Sequence, residues 1–157
     1  MITTLPPPTT AAQYAPFEAL TDRGTYRLYH DAKSLNAGFT EMLHELTTIC
    51  RAEYVDEDGN KIEPAMRAMF SLIEVLVNCS YELAASYRRA LPRGSVAMDE
   101  DGGFRIEWNF GDNAVFLEIA SGESSDSYIY FQNGNQTGIV RQVTGQRLAE
   151  QLRALLR

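Results

Sequence analysis

The stretch from residue 95 to residue 143 constrains the fold most. It holds five short runs of alternating apolar and polar residues, over 96–98, 104–110, 113–120, 127–132 and about 138–143, separated by Gly, Asp, Asn and Ser. Alternation with period two makes a strand with one buried face, and links this short join antiparallel neighbours. An antiparallel meander is therefore expected. Its second hairpin can be read residue by residue. A two-residue Gly111-Asp112 loop pairs Phe104 with Ile119, Ile106 with Leu117 and Trp108 with Val115, all apolar and all on one face. The other face then pairs Arg105 with Glu118 and Glu107 with Phe116. A three-residue loop would set Glu118 against Ile106, so burial selects the two-residue register.

Helices flank this meander. Asp31 can cap a first helix over about 31–53, in which Leu35, Phe39, Met42, Leu43, Leu46, Ile49 and Cys50 recur at steps of three and four. Upstream, 25–30 alternates weakly and fits either a short strand or the start of that helix. After the turn Asp56-Glu57-Asp58-Gly59-Asn60, Pro64 suits the first turn of a second helix over about 64–91, with Pro92 and Gly94 ending it. Arg67, Glu74, Asn78, Glu82 and Arg89 form its one polar stripe, and nearly everything else is apolar. Such a helix is central, packed between the first helix and the sheet, or else supplies a homodimer seam. A short helix over 145–157 turns Leu148, Leu152 and Leu155 inward and sets its terminal arginines against the helix dipole. The fold class expected is α+β: a four- to five-stranded antiparallel meander on two long N-terminal helices and a short C-terminal one. Residues 1–24 read as a flexible Pro-rich arm and 25–157 as a single domain.

Composition narrows the function. A chain of 157 residues, 45% hydrophobic, can bury a core without disulfides or metal. Residues 95–140 carry eight carboxylates against Arg105 alone, a net charge of -7 that equals the charge of the whole chain. The rest cancels. That balance argues against direct nucleic-acid binding, which needs clustered Lys and Arg, and favours a basic partner. Residues 1–15 lack a basic and then apolar leader pattern, no stretch approaches the roughly 20 apolar residues of a membrane span, and Cys50 and Cys79 fit a reducing compartment. A cytoplasmic location without membrane attachment is expected.

The segment Asp101-Gly102-Gly103-Phe104-Arg105-Ile106-Glu107-Trp108, following a helix that begins beyond Asp58-Gly59 and Ile62-Glu63-Pro64, resembles a loose group of small bacterial proteins of unassigned function. In that group an aspartate-glycine turn, a long helix and a D-G-G-x-x-x-E-W strand precede a meander. The resemblance spans about residues 54–131. It departs at Tyr54-Val55, where the group usually has a tryptophan, and it implies a fold but no activity.

Few residues point to chemistry. Asp-Glu-Asp-Gly occurs at 56–59 and again at 99–102, but a calcium loop aligned on either glycine lacks the bidentate twelfth ligand, so turn chemistry is the simpler reading. His30, His44, Cys50 and Cys79 lack metal-ligand spacing, and there is no nucleophile elbow or phosphate-cradling loop, so no catalytic residue, metal or cofactor is expected. Glu107 and Glu118 share a sheet face, yet Arg105 offers Glu118 an ion pair, which favours a charged face over an acid/base pair. Expectation therefore settles on a non-enzymatic interaction module, an adaptor, inhibitor or antitoxin-like protein. It would meet a basic protein surface through Glu107, Phe116, Glu118 and Tyr130, with Asp99 and Asp112 adding steering. The alternative is a ligand-binding or enzymatic domain with a pocket between sheet and helices, using Trp108, Tyr87 and Glu107.

Overall fold

The computed structural model describes residues 37–122 and 126–156. The expected arm, the Asp31 cap and the undecided stretch 25–30 lie outside the described residues. Along the chain come α1 (Ala37–Arg51), a small hairpin of β1 (Tyr54–Val55) and β2 (Lys61–Ile62), and α2 (Met66–Tyr87). Then follow β3 (Ser95–Met98), β4 (Phe104–Phe110), β5 (Asn113–Ile119), β6 (Tyr128–Asn133), β7 (Gln136–Val140) and α3 (Gly145–Leu155). Strands β3 to β7 form one antiparallel sheet in sequence order. The protein is α+β, with a five-stranded antiparallel sheet and three helices among the described residues.

The β4–β5 register is the one burial selects, with Phe104 opposite Ile119 and Trp108 opposite Val115. Both two-residue hairpin loops of the sheet begin with a glycine at positive φ, Gly111 at 62° and Gly134 at 59°. That is the residue a type II′ turn requires at its first central position. The second loop starts β7 at Gln136, two residues earlier than the alternation indicates, because Asn133 pairs with Gln136 directly across the turn.

Two expectations about the helices need correction. The first helix ends at Arg51, two residues before the expected 53, because the chain there turns into the β1–β2 hairpin, where Tyr54 pairs with Ile62 and Val55 with Lys61; its expected start at 31 lies outside the described residues. Helix α2 ends at Tyr87, four residues before the expected 91. Arg88 takes the left-handed conformation, φ 54°, and its N–H and that of Arg89 both donate to the Leu83 carbonyl. An arginine there costs about 1 kcal/mol relative to glycine. The early exit lets Leu91 turn inward, where it is 1% exposed, and burying a leucine returns roughly 2 kcal/mol.

All three helices pack on the same side of the sheet. Phe104, Ile106, Trp108, Val115, Leu117 and Ile129 face Phe39 and Met42 of α1, Leu72, Leu76 and Leu83 of α2, and Leu148 and Leu152 of α3 in one continuous cluster. Helix α2 occupies the central position and packs against α3, α1 and the sheet. By length and composition alone it is long and apolar enough to cross a membrane, against the expectation that no stretch comes close. Half of that apolar window is buried in this core. Met66, Phe70 and Tyr81 remain exposed along one edge of it.

The other contacts of the helical layer are specific. Gly38 of α1 lies against the backbone of 91–93, where a Cβ would come within 2.7 Å of the Arg93 nitrogen. Arg93 then reaches back to Glu45 at 2.7 Å and Glu41 at 3.2 Å, which raises its pKa further above the ordinary guanidinium value. Gly145 at the start of α3 similarly sits on α2, where a Cβ would meet the Cys79 nitrogen at 2.5 Å.

Candidate functional site

With the described helices on one side, the alternation of each strand carries its remaining side chains to the other, which the described helices leave uncovered. Across the middle of that open face one row runs through Glu107, Phe116, Tyr130 and Ile139, one residue from each of β4 to β7, paired in register. The Phe116 and Tyr130 rings lie 5.6 Å apart, tilted by 56°, within the range in which aromatic pairs attract beyond simple burial. Ile139 beside them is 55% exposed. The next row holds Arg105, Glu118 and Tyr128.

Arg105 organises the charge. Its Nε donates to Glu118 Oε2 at 2.8 Å, and its Nη1 stands 3.6 Å from Glu107 Oε1. The hydrogen bond to Glu118, then the Coulomb attraction of that carboxylate, raises the Arg105 pKa. The Glu118 side chain is 17% exposed and that of Glu107 35%. One guanidinium thus serves both glutamates, and Glu107 is the more available of the two. Four of the six expected site residues, Glu107, Phe116, Glu118 and Tyr130, come together on this face.

The other two, Asp99 and Asp112, do not join them. They sit in the turns at opposite ends of β4. Asp99 Oδ1 accepts from the N–H groups of Asp101 at 2.9 Å and Gly103 at 2.7 Å, while its own N–H donates to the Gly103 carbonyl at 3.0 Å. The first copy of the tetrapeptide folds the same way. Asp56 Oδ1 accepts from Asp58 at 2.9 Å and Asn60 at 2.7 Å, and the Asp56 N–H donates to the Asn60 carbonyl at 2.9 Å. The glycines match too, at φ 81° and 83°. These are three-residue hairpin loops closed by a left-handed glycine. The Asn60 side-chain amide, 3.0 Å from Oδ2, and these backbone donors hold Asp56 below the usual aspartate range. In both turns the first carboxylate is spent on its own backbone, and among the described residues no three His, Cys, Asp or Glu side chains gather as metal ligands do.

The residues expected to line a pocket are dispersed. Trp108 is 1% exposed in the core and its Nε1–H donates to the Pro92 carbonyl at 2.8 Å. Tyr87 carries the Arg153 guanidinium over its ring at 4.9 Å, and Glu107 faces the opposite side of the sheet from Trp108. Adjacent residues of one strand point to opposite faces and cannot share a pocket. A cleft of about 480 Å³ does exist elsewhere, between the polar edge of α2, the end of β5 and the link from β7 to α3. Arg67, Ser71, Glu74 and Asn78 form its α2 wall. The signal for it in the sequence is the polar stripe Arg67, Glu74 and Asn78, and nothing local shows that a second wall stands opposite. Both thiols have pKa values raised by burial, and Cys79 is fully enclosed. Comparison with known proteins returns no matching family model, no similar curated protein and no similar solved structure.

Proposed function

We propose that the protein is a non-enzymatic interaction module whose open sheet face docks on a basic protein surface. The observation that carries this reading is the one-sided layering. Three helices cover one face of the sheet, and the other presents a contacting aromatic pair, Phe116 and Tyr130, framed by Glu107 and the Arg105–Glu118 pair. Rigid aromatics with a charged frame are what interface centres use, because they bury large area at little entropic cost. Arg105 offsets much of the charge at the centre of the face, so steering falls to the rim. There Glu100, Asp101, Asp112 and Asp126 are exposed and, among the described residues, in no ion pair.

The test is capture by the purified, tagged full chain from its native host at low and high salt, with Glu107→Lys and Tyr130→Ala as variants whose folding is checked by circular dichroism. A stoichiometric partner is expected on the wild type at low salt, lost at high salt and lost to both variants, since rim and face charges act through a screened field. A partner that both folded variants retain, or no stoichiometric partner at all, overturns the assignment of this face.

A further inference from the structure

The cleft beside α2 has the size of a small-molecule site, about 480 Å³ against roughly 300–1,000 Å³ for sites that hold small ligands. Its walls come from separate parts of the chain. Among the described residues Val75, Ile119 and Val143 supply apolar surface, and Arg67, Glu74 and Arg141 are the ionisable groups that line it. Two arginines against one glutamate make the described lining of the cleft positive in a chain of net charge -7. Neither arginine lies within 4.0 Å of a carboxylate among the described residues, whereas Arg93 and Arg105 both do. Two guanidiniums from two elements that border one cavity present fork-shaped donors matched to the oxygens of a carboxylate or phosphate.

The start of α3 adds to this field. Thr144 and Gly145 border the cleft. Thr144 caps the helix by accepting from the Arg147 N–H at 3.2 Å and, through its carbonyl, from the Leu148 N–H at 3.0 Å. The preceding N–H groups of the first turn remain, as at every helix start, without an intrahelical partner, and their partial positive charge sums with the arginines.

From the two arginines and the apolar floor together, we propose that this cleft binds a small organic anion: an apolar body on Val75, Ile119 and Val143, and a carboxylate or phosphate head held by Arg67 and Arg141. Glu74 acts against such a head and limits its affinity. The site is separate from the open sheet face, on the helical side of the sheet at the end of β5.

The experiment is a titration of the ¹⁵N-labelled full chain, followed by amide chemical shifts, with three probes: phenyl phosphate, benzoate and neutral phenol. Saturable shifts confined to the cleft walls, residues 67–78 of α2 with Ile119, Ala120, Val143, Thr144 and Gly145, are expected with phenyl phosphate or benzoate, and the tighter of the two identifies the head group. Phenol is expected to bind at least tenfold more weakly. Arg67→Gln and Arg141→Gln should each weaken the anion by about tenfold, as loss of a charge-assisted hydrogen bond does. Glu74→Gln should tighten it and Glu107→Lys should leave it unchanged, which separates this site from the sheet face. Absence of saturable shifts, equal affinity for phenol, or unchanged affinity in arginine variants with wild-type spectra overturns the proposal.

Discussion

Trp108 shows how a single side chain ties the two layers together. Its ring fills the centre of the core, while the indole N–H reaches the Pro92 carbonyl in the segment that leaves α2. Gly94 makes that approach possible, since a Cβ there would stand 2.9 Å from both Cε2 and Nε1 of the ring. The register of the β4–β5 hairpin states that Trp108 is inward and that its N–H needs an acceptor. It does not state which, because Pro92 is joined to Trp108 only through the fold. Trp108→Phe removes the donor, leaves the Pro92 carbonyl short of a partner and opens a void where the second ring was. The expected cost is about 2–4 kcal/mol, read as a lower urea midpoint at unchanged slope. A loss below about 0.5 kcal/mol would show that the hydrogen bond and the ring contribute little to the core.

At the level of elements, the two Asp-Glu-Asp-Gly turns form a natural comparison. Their backbones and hydrogen bonds agree, yet their surroundings differ. Nothing lies within 4 Å of a Cβ built on Gly59, whereas one built on Gly102 runs into the Glu63 carbonyl, and the Ala65 N–H donates to the Gly102 carbonyl at 2.9 Å. The second turn therefore docks on the chain entering α2, and the first projects freely. Gly59→Ala is expected to cost only the left-handed strain of one residue, about 1 kcal/mol. Gly102→Ala should cost at least twice that, because backbone must shift, and should raise amide exchange at the start of α2. Equal effects in the two variants would mean that the docking contributes nothing.

The elements themselves were legible to different depths. The order of the strands and the β4–β5 register followed from alternation and from the glycines, both local signals. The end of α2 was missed. Arg88 stops the helix in a conformation its own propensity opposes, and the gain that decides it is the burial of Leu91. The end of α1 at Arg51 was missed for a related reason: the small hairpin that follows it is held by the Asp56 turn, and a two-residue strand carries too few residues to show a period.

Over the whole molecule, stability rests on the close approach of α2 and α3, and Cys79 reports on it. Gly145 of α3 packs on the backbone at Cys79, whose thiol is fully buried and whose pKa burial pushes far up. Only the thiolate reacts with a disulfide reagent. In the native protein Cys79 is therefore expected to label at the rate of global unfolding, accelerating with urea, while the half-buried Cys50 labels first. Rapid labelling of Cys79 without urea would mean that the two helices separate locally.

By itself the sequence determined the class of fold, the order of the strands, the register of the β4–β5 hairpin and its apolar face, and it left the central place of α2 as one of two readings. These depend on periodicity and turn chemistry, which act over a few residues. It also placed Glu107, Phe116, Glu118 and Tyr130 on one face, because a register once set puts every alternate side chain on the same side. Only the tertiary structure decided that Asp99 spends its carboxylate on its own turn, that one guanidinium serves both face glutamates, and that Arg67 and Arg141 border one cleft. The arginines illustrate the reason: 74 positions part them in the chain, and they reach a common cavity only because core packing sets the distance between α2 and the link into α3.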